Sequence, residues 1–263
     1  NRIWQHHFGE GLVRTPSDFG RNGDRPSHPE LLDWLASQFV EKKWSIKAMH
    51  RLMLTSNVYM QATRHPEAKA YAEKDADNRL LWRMNWLRLE SEVLRDSMLA
   101  LSGRLNPERG GPGMFFRVKD EVAQGFQMFK WYASSEEQQR RRSIYAFQRR
   151  SLMMPLMEVF DGANMSESCA RRGVTTVAPQ ALTLLNGTLT ASESAAFAKR
   201  VLEVAPAGAD KQIDAAFRLT LMRSASEAEK QKALPLFQGR SPEQALTRLA
   251  TVLFNLNEFL YLE

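Results

Sequence analysis

The chain has 263 residues, 43% of them hydrophobic and 25% charged, which suits a folded globular protein and excludes disordered or fibrous classes. Its 36 basic residues exceed 30 acidic ones by a formal +6, an excess that permits contact with polyanions without demanding it. One cysteine, Cys169, excludes an internal disulfide, a cysteine-rich zinc site and a Cys-x-x-Cys-His attachment for covalent haem.

The chain opens on "NRIWQHHFG" without Met and in mid-pattern, which leads us to expect a piece of a longer protein. His6 and His7 are adjacent, so on a helix they point about 100° apart and do not easily chelate one metal. Packed or capping histidines in an aromatic patch are the expectation. Next, "DFGRNGDRPSHPE" crowds Asp18, Arg21, Asp24, Arg25 and His28 into a Gly-rich loop ahead of a helix. Turn and capping roles account for it; an anion site at the helix N-terminus is the alternative.

In "SHPELLDWLASQFVEK", Ser27 and Glu30 stand in capping-box spacing and Leu31, Leu35 and Phe39 recur every four residues, predicting an amphipathic helix. A second helix is predicted over "SIKAMHRLMLTSNVYMQAT", with Ile46, Met49, Met53 and Met60 on one face. His50 falls in that face and is read as a neutral imidazole bonded to a carbonyl or an amide. A third stripe joins Leu87, Leu94, Met98, Leu101 and Leu105, ended by Gly103 and the "NPERGGPG" run.

The middle is aromatic and partly alternating. "MFFRVKDEVAQGFQMFKWYASS", with Gly125 as a turn, and "RRSIYAFQRR" predict a few extended segments. Arg140, Arg141, Arg142, Arg149 and Arg150 surround Tyr145 and Phe147. That composition fits a single-strand nucleic-acid platform, but no recognised nucleic-acid motif accompanies it. A structural element with core rings and paired arginines is the preferred reading, and nucleic acid is set aside as a partner. Met153, Met154, Met157 and Met165 read as adaptable core rather than a copper cluster.

"FDGANMSESCARRGVTTVAPQ" is a long irregular connection after a short helix near Leu156. Cys169 would need nearby positive charge and access to act as a nucleophile. Arg171 and Arg172 could supply the charge, yet all five histidines precede residue 66, so a buried structural thiol is expected. The arginines either clamp a carboxylate or sulfate, or brace the segment against Asp161 and Glu167; bracing is preferred. Helices return after Pro179, with capping boxes at Ser226/Glu229 and Ser241/Gln244 and a last stripe of Leu246, Leu249, Ala250, Leu253 and Leu260.

The expected class is therefore mainly α (α+β), a helical fold with a small β element in the middle of the chain. One mixed domain over 1–263 is favoured, with a subdivision near 106–113 as the alternative. No stretch approaches the roughly 20 apolar residues of a membrane span.

Long ordered blocks carry a family resemblance: residues 1–61, "RLLWRMNWLRLESEVLRDSMLALSGRL", "RRSIYAFQRR", "ESCARRGVTTVAPQALTLLN" and "LFNLNEFLYLE". Together they resemble a planctomycete-type domain of unknown function. The resemblance implies the C-terminal part of an exported multidomain protein, periplasmic or at the cell surface, behind a cytochrome-c-like module that holds the haem. No cofactor or metal is expected in this part. It supplies no catalytic residue. The family's Phe-Asp-x-Pro segment is here "FDGAN", which puts a proline-set turn in doubt, while Phe160, Asp161, Cys169, Arg171 and Arg172 stand at matching positions.

Two functions are expected. The first is a non-catalytic scaffold or docking domain, with other domains of the same parent as partners. The second is a hydrolase or binding domain for an extracellular, anionic polysaccharide. Candidate ligand-binding residues are Asp24, His28, Asp161, Cys169, Arg171 and Arg172.

Overall fold

The structure is a computed structural model that describes residues 1–118 and 131–262. The expected turn at Gly125 and the aromatic stretch around it lie outside the described residues. The fold is mainly α with a small β element. The described chain divides into two compact units, one of residues 1–88 with the closing residues from Tyr261, the other Leu89–Leu260. The Gly-Pro run at 106–113 lies inside the second unit.

The first unit carries α1 (Arg2–Phe8), α2 (Pro29–Glu41), α3 (Ile46–Leu54), α4 (Ala68–Lys74) and strand β1 (Leu87–Arg88). Trp4 and Phe8, one helical turn apart on α1, stack at 4.0 Å and bury against Leu12, Leu35, Met49, Met53 and Met84. The Asn1 side chain replaces a strand partner for Val13, accepting from its N–H at 2.9 Å and donating to its carbonyl at 3.0 Å. Helix α3 ends at Leu54, so Met60 is exposed instead of continuing the stripe of Met49 and Met53. Pro29 begins α2, but the residue before it is His28 with no side-chain cap. Ser27 is spent on Leu12, whose carbonyl accepts from its backbone N–H at 2.9 Å, and the expected Ser27/Glu30 box gives way to this tertiary contact.

Leu87, predicted on a helical stripe, lies in β1, which pairs antiparallel with β2 (Tyr261–Leu262), Leu87 opposite Leu262. The following helix, α5 (Ser91–Leu101), begins the second unit and buries Leu94 and Met98 completely. Gly103, at φ +76°, follows it in the left-handed conformation that glycine adopts without strain.

The second unit continues with α6 (Glu136–Gln139), a 3₁₀ turn (Ser143–Tyr145), α7 (Pro155–Val159), α8 (Ala178–Asn186), α9 (Thr188–Val204), α10 (Ala209–Leu221), α11 (Glu227–Ala233), a 3₁₀ turn (Leu234–Phe237), α12 (Pro242–Leu253) and α13 (Asn257–Leu260). Its main core forms where α9 meets α12. Glu193, Ser194, Phe197, Ala198 and Val201 recur at three- and four-residue spacing on α9, as do Ala245, Leu246, Leu249, Ala250 and Leu253 on α12. Both predicted capping boxes close: the Glu229 carboxylate accepts from the Ser226 N–H at 2.8 Å, and Gln244 N–H donates to Ser241 Oγ at 3.3 Å.

A smaller core holds Met114, Phe116, Trp131, Met154 and Met157. Two of the four methionines singled out in sequence are buried there, whereas Met165 is exposed. The predicted extended segment at 141–150 contains the 3₁₀ turn instead, flanked by isolated bridges from Asn106 to Arg141 and from Met114 to Ala146. Side chains decide its shape. Arg141 is 1% exposed, lies 3.9 Å over the Tyr145 ring, and donates to the carbonyls of Pro112 (2.9 Å) and Gly110. Arg95 of α5, 4% exposed, donates to the Arg141 carbonyl at 3.0 Å, to Ser143 Oγ at 3.2 Å and to the Gln139 carbonyl. Burial lowers the Arg95 guanidinium pKa, and the charges of Asp96 and Glu193 oppose that.

Candidate functional site

The stretch 160–186, which holds four of the candidate residues, is anchored within the fold. Phe160 closes α7 and Asp161 follows at φ +56°, a left-handed position that aspartate tolerates better than most residues. The Gly162 N–H then returns to the Met157 carbonyl at 2.6 Å, and a Cβ on Gly162 would lie 2.7 Å from that oxygen. The turn thus forms without proline, through Asp161 and Gly162.

Asp161 then reaches fourteen residues ahead. Its carboxylate accepts from the Thr175 N–H at 2.9 Å and from Thr175 Oγ at 2.9 Å. Gln180, buried in the first turn of α8, donates to the carbonyls of Val159 and Thr175, each at 3.1 Å. These contacts tie the end of α7 to the start of α8 and close the loop between them.

Arg172 is the second anchor. Its two terminal nitrogens fork onto the Glu92 carboxylate at 2.6 and 2.9 Å, and Glu90 lies at 3.6 Å. Both charged side chains are largely sheltered, 29% and 22% exposed. Burial pushes the Glu92 pKa up, but hydrogen bonds from Arg172, the backbone and Ser91 outweigh it and hold the carboxyl below its usual range. Its hydrogen bonds to Glu92 raise the Arg172 pKa against its own burial. Bracing was expected against Asp161 and Glu167; Arg172 instead pairs with Glu92 at the N-terminus of α5, and Asp161 is engaged by Thr175.

Arg171 and Cys169 are exposed, and Cys169 is a free thiol, contrary to the buried cysteine expected. Four branched apolar side chains are exposed among polar ones in the same stretch. Val174, Val177, Leu182 and Leu185 are 63%, 47%, 56% and 51% exposed.

Asp24 and His28 belong to the first unit. Their loop is built from its own turns: Thr15 Oγ donates to the Asp18 carbonyl at 2.8 Å and accepts from the Asp24 N–H at 2.9 Å, and Asp18 accepts from the Gly20 N–H at 2.8 Å. A Cβ on Gly23 would meet the Asp18 carbonyl at 2.0 Å, so this close approach requires glycine. His28 Nδ1 lies 3.0 Å from Ser27 Oγ, and the Asp24 side chain faces solvent. A cavity of about 30 Å³, room for about one water, lies in the same unit beside Trp4, Phe8, Arg14 and Asp77. Neither Asp24 nor His28 lines it.

Sequence reasoning missed one close pair. His7 Nε2 and His50 Nδ1 lie 2.7 Å apart, joining α1 to α3, with the Tyr59 ring edge-on to His7. Burial lowers the His7 pKa, helped by the neighbouring His50 and His6 charges. His50 was expected to bond a carbonyl or an amide; its partner is His7, and nothing in the sequence around either residue signals the pairing. Among the described residues no group of three or more His, Cys, Asp or Glu is arranged to hold a metal ion, and no helix is long and apolar enough to cross a membrane.

Fold and site together define a mainly helical protein in which residues 160–186 are tied down by the Asp161–Thr175 hydrogen bonds and the Arg172–Glu92 ion pair. The chain belongs to a family of proteins of unknown function, DUF1553 (PSD1), which matches residues 1–237. No curated protein and no solved structure matches the chain.

Proposed function

We propose that this chain is a non-catalytic docking domain of an exported multidomain protein, holding other domains of the same parent, a cytochrome-c-like module among them. One observation carries the reading: the build of residues 160–186. Its conspicuous polar groups, Asp161, Arg172 and Gln180, are engaged within the fold. Its branched apolar side chains Val174, Val177, Leu182 and Leu185 are exposed, and we read them as part of a surface that a protein partner covers. The exported setting and the haem-bearing neighbour rest on the resemblance described from the sequence.

Hydrogen exchange tests this directly, comparing the isolated chain with the same chain inside its intact parent. Residues 174–185 exchange more slowly in the parent if another domain covers them, and Leu182→Glu with Leu185→Glu removes that protection. Equal exchange in both forms overturns the proposal. Turnover of an anionic polysaccharide by the isolated chain, abolished by His28→Ala, replaces it with the hydrolase reading.

A further inference from the structure

We infer that the corner between α2 and α3 is an interfacial anchor that rests on an anionic lipid surface. Helix α2 ends with Lys43 N–H on the Val40 carbonyl and Trp44 N–H on the Phe39 carbonyl, both at 2.9 Å. Closing the helix this way puts two successive non-glycine residues in the left-handed region, Lys43 at φ 54° and Trp44 at φ 60°. Glycine normally fills the first of these positions, because a side chain there costs energy.

The strained turn presents a defined surface. Trp44 is 67% exposed, with its ring edge supported by Phe39 at 5.1 Å, and Val40 and Ile46 beside it are 57% and 54% exposed. Lys42, Lys43 and Lys47 are all exposed around this tip. The single carboxylate within the corner, Glu41, accepts from the Gln38 side-chain amide at 2.7 Å. Ser45 then caps α3 by accepting from the Ala48 N–H, so the apolar tip is held between two helix ends.

Charge and shape select the partner. Three lysines against one carboxylate attract an anionic surface. Trp favours the headgroup level of a bilayer, and lysine stems reach from an apolar body to phosphate. Val40 and Ile46 decide between lipid and anionic polysaccharide: aliphatic side chains gain by leaving water for the acyl boundary, and gain little on a hydroxyl-covered glycan. The surface lies within the first unit and is separate from the exposed apolar side chains at 174–185 by residue and by element.

The test uses the whole 263-residue chain and co-sedimentation with phosphatidylcholine vesicles, with and without 30% phosphatidylglycerol. Binding is expected only to the anionic vesicles. Replacing the three lysines by Ser lowers it roughly a hundred-fold, since each contributes somewhat under tenfold at such a surface. Trp44→Ser with Ile46→Ser lowers it further, and brominated lipid quenches tryptophan fluorescence in the parent sequence but much less in Trp44→Ser. All substitutions are at exposed positions, and circular dichroism confirms that the variants fold. No binding at low salt overturns the inference. So does binding insensitive to Trp44 and Ile46, or equal retention on soluble alginate, which would identify a charge effect or a polymer partner instead.

Discussion

Removing the Arg172–Glu92 fork distinguishes a brace from a ligand site. The structure provides two charge-assisted hydrogen bonds at 2.6 and 2.9 Å between side chains that are 29% and 22% exposed. Each such bond is worth about 4–6 kcal/mol before competition with water and other costs. Ordering an arginine side chain opposes this by about 2 kcal/mol, and partial desolvation of two ions takes more. A net coupling of about 1–2 kcal/mol remains. Arg172→Ala and Glu92→Ala should each cost about 2–3 kcal/mol, because each leaves an opposite charge half-buried. The double variant should fall short of the sum by the coupling.

Urea denaturation monitored by circular dichroism reads these values, and each kilocalorie moves the melting temperature of a unit this size by about 2–4 °C. The pH dependence follows from the lowered Glu92 pKa. With the folded carboxyl below its unfolded value of 4.5, the pair's contribution is complete above pH 4.5 and disappears as pH falls through the folded pKa. A coupling below about 0.3 kcal/mol at pH 7, within the additivity expected of independent sites, or one that does not weaken as pH falls below 4.5, would refute the brace.

Three further outcomes are expected. Arg141→Lys should cost about 2 kcal/mol, since an ammonium cannot both stack on Tyr145 and fork to the Pro112 and Gly110 carbonyls; an unchanged urea midpoint would show that the planar group is not needed. Lys43→Gly should stabilise the first unit by about 0.5–1 kcal/mol, the relief at φ 54° exceeding the added entropy of the unfolded chain; a lower melting temperature would contradict the assigned strain. For His7, whose folded pKa lies below 6.5, the unfolded chain binds the proton first, so stability is level above pH 6.5 and declines as pH falls toward the folded value. His7→Phe should flatten that decline between pH 7 and 5, and an unaltered slope in the denaturation midpoint would assign it elsewhere.

The residues themselves determined most of the helices and several of their ends. Capping boxes at Ser226 and Ser241 and the buried stripes of α9 and α12 depend on neighbours three or four residues away, which the helical repeat supplies wherever the chain goes. The mainly α class was readable for that reason. Tertiary structure alone decided the partners. Glu92 is 80 residues from Arg172, His50 is 43 from His7, and Leu87 meets Leu262 across about two thirds of the chain. It also drew Ser27 away from its predicted cap and put Leu87 into a strand, because a contact across the fold outcompetes a local preference worth about a kilocalorie. Periodicity says which face is apolar; only the path of the backbone says what that face, or a charge beside it, will meet.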